Sequence, residues 1–443
     1  MIERDPCVDQ TLADLEMAHH WQGAGALYRF QHDLGHGQRL RLRAPSNGIV
    51  TEDSGHYYSP MSGSIYWFDA TEPFCLVSAS TRLGCPILAL VTRHEVYPVA
   101  DREPSPLITK AQAMLIEDVR PAHLIDPEAR PLVITGHVNF AHFLWNEFPG
   151  LWHLRKSGAV FDLGVLHDTL GILRPYCDTE GLNCRFSPQR ASFEGWQTQP
   201  VVVPGSTYCN ADVKRDVLDL MGLEARYSPS TSQPRIYFSL RCTGRAMQNE
   251  LDFLETVIGR LCAAYPDCHV VLDGFSLPVD FERSIYTSAA LSFDARIHEA
   301  RDTVAKLTTR LDIAGQARLH DITGAPLDVA LREIARCHFY VTHAGTMQHK
   351  AGWFYPLPGL LHGNQVSIAP SSLRWTASMM AEAVPPCGIA CELIEDLEIY
   401  NMPRANARNR DYLLLDTERA ANDIMNAFTR ALGTISSEWR RGE

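Results

Sequence analysis

Val341–Trp353 reads VTHAGTMQHKAGW. An apolar run ends at His343, two small residues follow, and a helix pattern starts near Met347 with Thr346 as its N-cap. Strand, tight turn and helix start together present free backbone amides and the positive end of a helix dipole, which suits an anion. The same alternation extends both ways. Upstream lie RIYFSL (Arg235–Leu240), a helix over Asn249–Tyr265, CHVVLDG (Cys268–Gly274), a helix over Asp294–Leu311, ARLHDI (Ala317–Ile322) and a helix over Leu327–Cys337. After FYVTH (Phe339–His343) come a helix over Met347–Tyr355 and GLLHG (Gly359–Gly363). Strands alternating with helices predict a parallel sheet covered on both faces.

A weaker version of the pattern precedes it. PLVITG (Pro131–Gly136), a helix-like run to Lys156, LGVLHD (Leu163–Asp168), PVVVPG (Pro200–Gly205) and a helix over Asp212–Leu223 form a first set. The Ser/Pro/Thr run Ser228–Pro234 lacks periodicity and reads as a linker. The first part, with Gly-, Ser- and Tyr-rich stretches such as Ser54–Phe68, reads as short strands and turns. The expected organisation is therefore α/β: a β-rich N-terminal region over 1–128, one Rossmann-like domain over 129–228, a second over 235–365, and a C-terminal segment over 366–443 that packs back through a helix at Thr417–Leu432. Two such domains face a cleft, with ligands at the C-terminal strand ends.

Residues just past the strand ends are therefore the candidates for ligand contact. Arg241 and Arg245 come after Ile236–Leu240, and arginine's forked donors match phosphate oxygens. Ser239 adds a hydroxyl, and Asp273 ends a strand of the same sheet, where it could touch a base or ribose. His343, Gly345, Thr346 and Gln348 complete the candidate anion site. Plain turns and solvated arginines are the competing reading.

In HVNFAHFLWNEFPGLWHL (His137–Leu154), a helix puts His142, Asn146 and His153 near one face. Pro149 removes a helical hydrogen bond and predicts a kink near Trp145. His142 is a candidate general base, since imidazole titrates near neutral pH. Glu147, about 100° around the helix from Asn146, is the alternative base. Asn139 and Asn146 are candidate acceptor contacts.

The chain has 443 residues, 45% of them hydrophobic and 21% charged, which predicts two or three globular domains. A net charge of -12 argues against nucleic-acid binding. The twelve cysteines show no zinc spacing and read as reduced, buried thiols. No apolar stretch approaches the ~18 residues of a membrane span, and the charged start lacks a signal-peptide pattern. A cytoplasmic protein, free or peripheral to an inner membrane, is expected.

Three segments, in this order, resemble glycosyltransferase family 61 and its bacterial relatives. They are Asn139–His142, Arg235–Arg241 with Asn249–Glu250, and His343–Gly345. The likeness covers roughly Pro131 to Asn364. One departure is Asn146, where the family often has an acid four residues after the histidine, with Glu147 beside it. The resemblance implies a GT-B architecture, a nucleotide-sugar donor (UDP- or GDP-sugar) held by the second domain, a glycan or glycolipid acceptor, and inversion at the anomeric carbon. No cofactor and no metal are expected, because arginines and helix amides can stabilise a leaving diphosphate. A homo-oligomer is left open. Two rival classes remain at this point: a nucleotide-sugar hydrolase or epimerase, and a non-catalytic carbohydrate-binding protein that stacks sugars on Trp145, Trp152 or Trp353.

Overall fold

The computed structural model describes residues 5–18, 21–22, 27–58, 63–79, 87–99, 105–126, 128–187, 198–224, 227, 229, 233–242, 244–282, 286–311, 318–397 and 410–439. Of the expected linker Ser228–Pro234, residues 228 and 230–232 lie outside them, as do residues 59–62 of the Tyr-rich stretch. The chain divides into two compact units, Met1–Val213 and Lys214–Glu443.

Besides a short antiparallel pair, Trp21–Gln22 with Leu27–Tyr28, the described residues of the first unit form two larger sheets. One is antiparallel and runs Arg41–Arg43, Val50–Tyr58, Gly63–Phe68, Phe74–Ala79, Ile87–Thr92, Val96–Pro98, with His123–Leu124 also on Val50–Tyr58. The helix Pro106–Ile116 covers it. Ser105 caps that helix by accepting from Leu107 N, and proline takes the first turn. Leu107, Ala111 and Leu115, at helical spacing, pack with Ile65, Trp67, Cys75 and Val77. The sequence reading placed no helix here, because eleven residues between turn-rich segments carry little periodic signal.

The second sheet is parallel, ordered Cys184–Phe186, Asp162–Val165, Leu132–Thr135, Val201–Val202. Every residue of Leu132–Thr135 is buried, as expected of a central parallel strand covered on both faces. The helical run after it is not a simple kinked helix. It passes from Phe140–His142 through a π-turn at Phe143–Glu147 into Phe148–Lys156. Phe148 N–H donates to the carbonyl of Phe143, five residues back. Pro149 has no N–H for the Trp145 carbonyl, so the backbone widens at the place where a kink is expected.

The second unit is built on a six-stranded parallel sheet: Leu319–Asp321, His269–Asp273, Arg235–Ser239, Phe339–His343, Gly359–His362, Cys387–Gly388. In chain order this is 3-2-1-4-5-6, the doubly wound arrangement with a switch point between Arg235–Ser239 and Phe339–His343. Helices Glu250–Ala264, Thr287–Arg310, Leu327–Ala335 and Thr346–Trp353 connect the strands. The C-terminal helix Thr417–Trp439 docks within this unit. Phe428 packs 5.4 Å from Tyr265 and 6.3 Å from Phe339, centroid to centroid, and the Tyr265 hydroxyl lies 2.6 Å from Thr429 Oγ1. Against the expectation of buried thiols, Cys387 and Cys391 are exposed. No helix among the described residues is long and apolar enough to cross a membrane.

Candidate functional site

In the second unit the two strands flanking the switch point end at Ser239 and His343. Leu240 leads to Arg241 and then to a loop carrying Arg245. Gly345, two residues after His343, has φ +129° and ψ −150°, a conformation that disfavours any side chain. That geometry makes Gly345, rather than Thr346, the N-cap: Thr346 is already the first helical residue, and the cap makes no side-chain hydrogen bond. A Cβ built on Gly345 would lie 3.6 Å from both terminal nitrogens of Arg245 and 3.7 Å from Arg241 Nη1. Two guanidinium groups thus converge over an eight-residue helix's N-terminus.

Like charges in this position oppose each other. Burial, then the charge of Arg245, pulls Arg241 down to about 10; Arg296 adds to this, while Tyr412 and Asp411 oppose it. Burial also lowers Arg245. An anion placed between the two would relieve the repulsion.

The arginine loop is held from far along the chain. Ala246 N–H donates to Asp411 Oδ1 (2.8 Å), Tyr412 N–H to the Ala246 carbonyl (3.1 Å), and Gln248 N–H to the Tyr412 carbonyl (2.9 Å). Asn249 closes the clamp: its Nδ2 donates to the Leu414 carbonyl (2.8 Å) and its Oδ1 accepts from Leu414 N–H (3.1 Å). Arg245 sits at φ +61°, a conformation rarely adopted by a side-chain-bearing residue and sustained here by this clamp. Nothing in the local pattern of Asp411–Leu414 signals this contact.

Other candidates lie beneath the site. His343 is buried. Ser239 Oγ accepts from its backbone N–H (3.2 Å) and shares a 2.9 Å bond with its Nδ1. Burial, then the charges of Arg241, His362, Arg245 and Lys350, hold the imidazole well below its usual range, so it is neutral. Asp273 is fully buried. Its Oδ2 accepts from Lys350 Nζ, Tyr237 (3.0 Å) and Ser276 (3.2 Å). It therefore stands where doubly wound sheets often place a ribose-binding acid, but Lys350 is already on it. Burial lowers Lys350, against the pull of Asp273. Gln348 is buried, with no hydrogen bond to Oε1 among the described residues. Glu250, part of the Asn249–Glu250 segment that carries the family resemblance, lies below Arg241: its Oε1 accepts from Arg241 N–H (3.3 Å), and burial pushes it up to about 8.

The first unit carries its own cluster, at the switch between Leu132–Thr135 and Val201–Val202. Asn139 caps the helix, its Oδ1 accepting from Ala141 N–H at 3.0 Å. His142 is half-buried, with Nδ1 2.9 Å from Asn146 Oδ1. Asn146 Nδ2 donates to the Ser206 carbonyl (2.9 Å). A carbonyl can only accept, so the amide is fixed with its oxygen toward His142. Nδ1 therefore bears a proton, and in the neutral ring Nε2 keeps its lone pair. Asn146 is fully buried and uses both ends of its amide. The rings of His137 and Trp145 lie 5.0 and 5.8 Å from that of His142.

Glu147 is sealed. Its Oε2 accepts from Thr135 Oγ1 (3.0 Å), Gly136 N–H (2.8 Å) and His137 N–H (3.0 Å), while Oε1 has no partner among the described residues. Burial pushes its carboxyl up to about 7 despite those three bonds. The π-turn aims Glu147 at the end of the strand. The third residue of the expected polar face, His153, meets Asn210 instead, 3.2 Å from its Nδ2. Among the described residues, no group of three His, Cys, Asp or Glu side chains is arranged to hold a metal ion.

No protein-family model matches this chain, and no curated protein matches it either. Several solved structures are similar in part. ADP-heptose LPS heptosyltransferase II from E. coli matches at 15% identity over 68% of this chain and 98% of that one, with a TM-score of 0.38. S. aureus MnaA bound to UDP matches at 14% identity over 63% and 72%, with a TM-score of 0.25. The pneumococcal O-GlcNAc transferase GtfA, in complex with UDP and GlcNAc, matches at 11% identity over 90% and 69%, with a TM-score of 0.20. Likenesses this distant carry no argument about activity, which rests on the residues themselves.

Proposed function

We propose that this chain is a glycosyltransferase of the GT-B kind, related to family 61, which moves a sugar from a nucleoside diphosphate to an acceptor hydroxyl. The observation that carries the reading is the convergence of Arg241 and Arg245 on Gly345, at a helix N-terminus and at the switch point of a 3-2-1-4-5-6 sheet. Such a place binds a diphosphate. Within the first unit, His142 is the candidate base, since its Nδ1 is engaged by Asn146 and its Nε2 is the nitrogen left to accept a proton.

In the proposed step, the acceptor O–H gives its proton to a general base. The acceptor oxygen bonds to the anomeric carbon from the face opposite the diphosphate. The bond from that carbon to the diphosphate oxygen breaks, and its electron pair stays on that oxygen. Arg241, Arg245 and the helix amides stabilise the charge that develops there. The products are an inverted glycoside, a nucleoside diphosphate and a protonated base. Two guanidiniums supply the charge that a divalent ion would otherwise provide, so we propose a reaction independent of metal. The acceptor is a glycan or glycolipid on this reading, and the site of action the cytoplasm.

Donor binding and turnover in single variants test it. Arg241→Ala should weaken UDP- or GDP-sugar binding by tenfold or more; unchanged affinity across both donors refutes the phosphate site. His142→Gln should lower kcat at least a hundredfold with donor affinity retained. Full-rate release of free sugar without acceptor would point to a hydrolase instead.

A further inference from the structure

The end of the second strand of the donor sheet carries an aromatic ring that the phosphate site does not use. Gly274 follows Asp273 directly, and a Cβ there would overlap Ala300 Cβ on the helix Thr287–Arg310. Only glycine lets that helix come so close. This contact fixes the helix against the strand ends. One turn before Ala300, on the same face, Arg296 is carried over the Phe275 ring, its Cζ 5.7 Å from the ring centroid. One turn after it, Thr303 Oγ1 reaches Cys242 Sγ at 3.5 Å, beside Arg241. The helix therefore runs along the mouth of the site from Phe275 to the arginine loop.

Phe275 is half-buried and braced from within by Phe293, at 5.1 Å between centroids. Arg296 is exposed, and its guanidinium lies over that ring. A rigid aromatic surface with a guanidinium on it offers stacking and a cation–π contact to a planar ring. The usual ribose acid is spent on Lys350, so recognition of a nucleoside cannot begin at Asp273. Arg296 is also near enough to Arg241 for its charge to be felt there.

We propose that Phe275 and Arg296 form the platform for the nucleobase, so that the donor's nucleoside lies toward the strand ends of His269–Asp273 and its sugar toward Gly345. This rests on the reading of Arg241, Arg245 and the helix Thr346–Trp353 as the diphosphate site. The ligand class is a nucleoside diphosphate, recognised in two separable parts.

Isothermal titration of the full chain with UDP, GDP and inorganic pyrophosphate separates the two. The wild type should bind at least one of the nucleotides more tightly than pyrophosphate. Phe275→Leu, which keeps an apolar side chain for Phe293, should weaken that nucleotide by roughly tenfold to a hundredfold and leave pyrophosphate within threefold. Arg296→Met, on an exposed position where folding is not at stake, should weaken the nucleotide more than pyrophosphate. Pyrophosphate binding as tightly as both nucleotides, or falling equally with them in Phe275→Leu, overturns the platform while leaving the phosphate site intact. No binding of any of the three overturns both.

Discussion

Replacing Glu147 by glutamine should change how stability depends on pH, by an amount the structure sets. The carboxyl is completely buried and pushed from 4.5 up to about 7, chiefly by burial. Its folded value thus lies above its unfolded one. Between those two pH values the folded chain holds a proton that the unfolded chain has released. The stabilisation is complete below about pH 4.5 and is lost as pH rises through about 7. At about 1.4 kcal/mol per pH unit, the loss amounts to about 3 kcal/mol. Glutamine has the same shape and no titration. Its oxygen can take over the bonds from Thr135, Gly136 and His137, with the amide nitrogen at the unpartnered Oε1 position. Urea unfolding of wild type and Glu147→Gln, side by side from pH 4.5 to 8, reads the difference directly. The variant should gain on the wild type by about 3 kcal/mol across that range. A difference flat within about 0.5 kcal/mol would show that the buried carboxyl does not titrate as argued. The same variant separates the two candidate bases: turnover within threefold of wild type removes Glu147 from that role, and loss of turnover with a normal fold assigns it.

Three further outcomes are expected. Lys350→Met leaves the Asp273 carboxylate buried without its cation and should cost about 3–5 kcal/mol in thermal or urea unfolding, while Lys350→Met with Asp273→Asn should recover most of it; a double variant as unstable as the single one would contradict this. Gly345→Ala forces a side chain into a φ of +129° and toward two guanidiniums, so it should destabilise by about 1–3 kcal/mol and weaken pyrophosphate binding tenfold or more; normal pyrophosphate affinity would place the anion elsewhere. Asn146→Ala releases His142 from its fixed tautomer and should lower kcat tenfold or more with donor affinity unchanged; equal loss of both would mean a structural role only.

The alternation of strands and helices from Arg235 to His362 was legible because most of the strands are short apolar runs and helices such as Glu250–Ala264 and Leu327–Ala335 carry a 3.6-residue stripe; Thr346–Trp353, buried from Gln348 to Trp353, carries none. The π-turn at Phe143–Glu147 was half legible. Pro149 announces a missing hydrogen bond, but whether the backbone bends or widens depends on what packs around it. Thr346 looked like the cap because its side chain is a good one; the unusual φ of Gly345 moved the boundary by one residue. Arg241, Arg245, His343 and Gly345 could be named from their place after strands, whereas Arg296 sits in mid-helix with nothing local to mark it.

By itself, the amino-acid sequence determined which segments become strands and helices, and which polar groups stand at strand ends, because hydrophobic period and turn residues act over a few positions. Only the tertiary structure decided which of those groups meet. Asp273 and Lys350 are 77 residues apart, and Asn249 and Leu414 are 165 apart. Their pairing is fixed by strand order and by burial, where a polar group must find a partner or bear the full cost of leaving water. That demand turned a candidate ribose acid into half of a buried ion pair, and an amide expected to meet an acceptor into the group that orients His142.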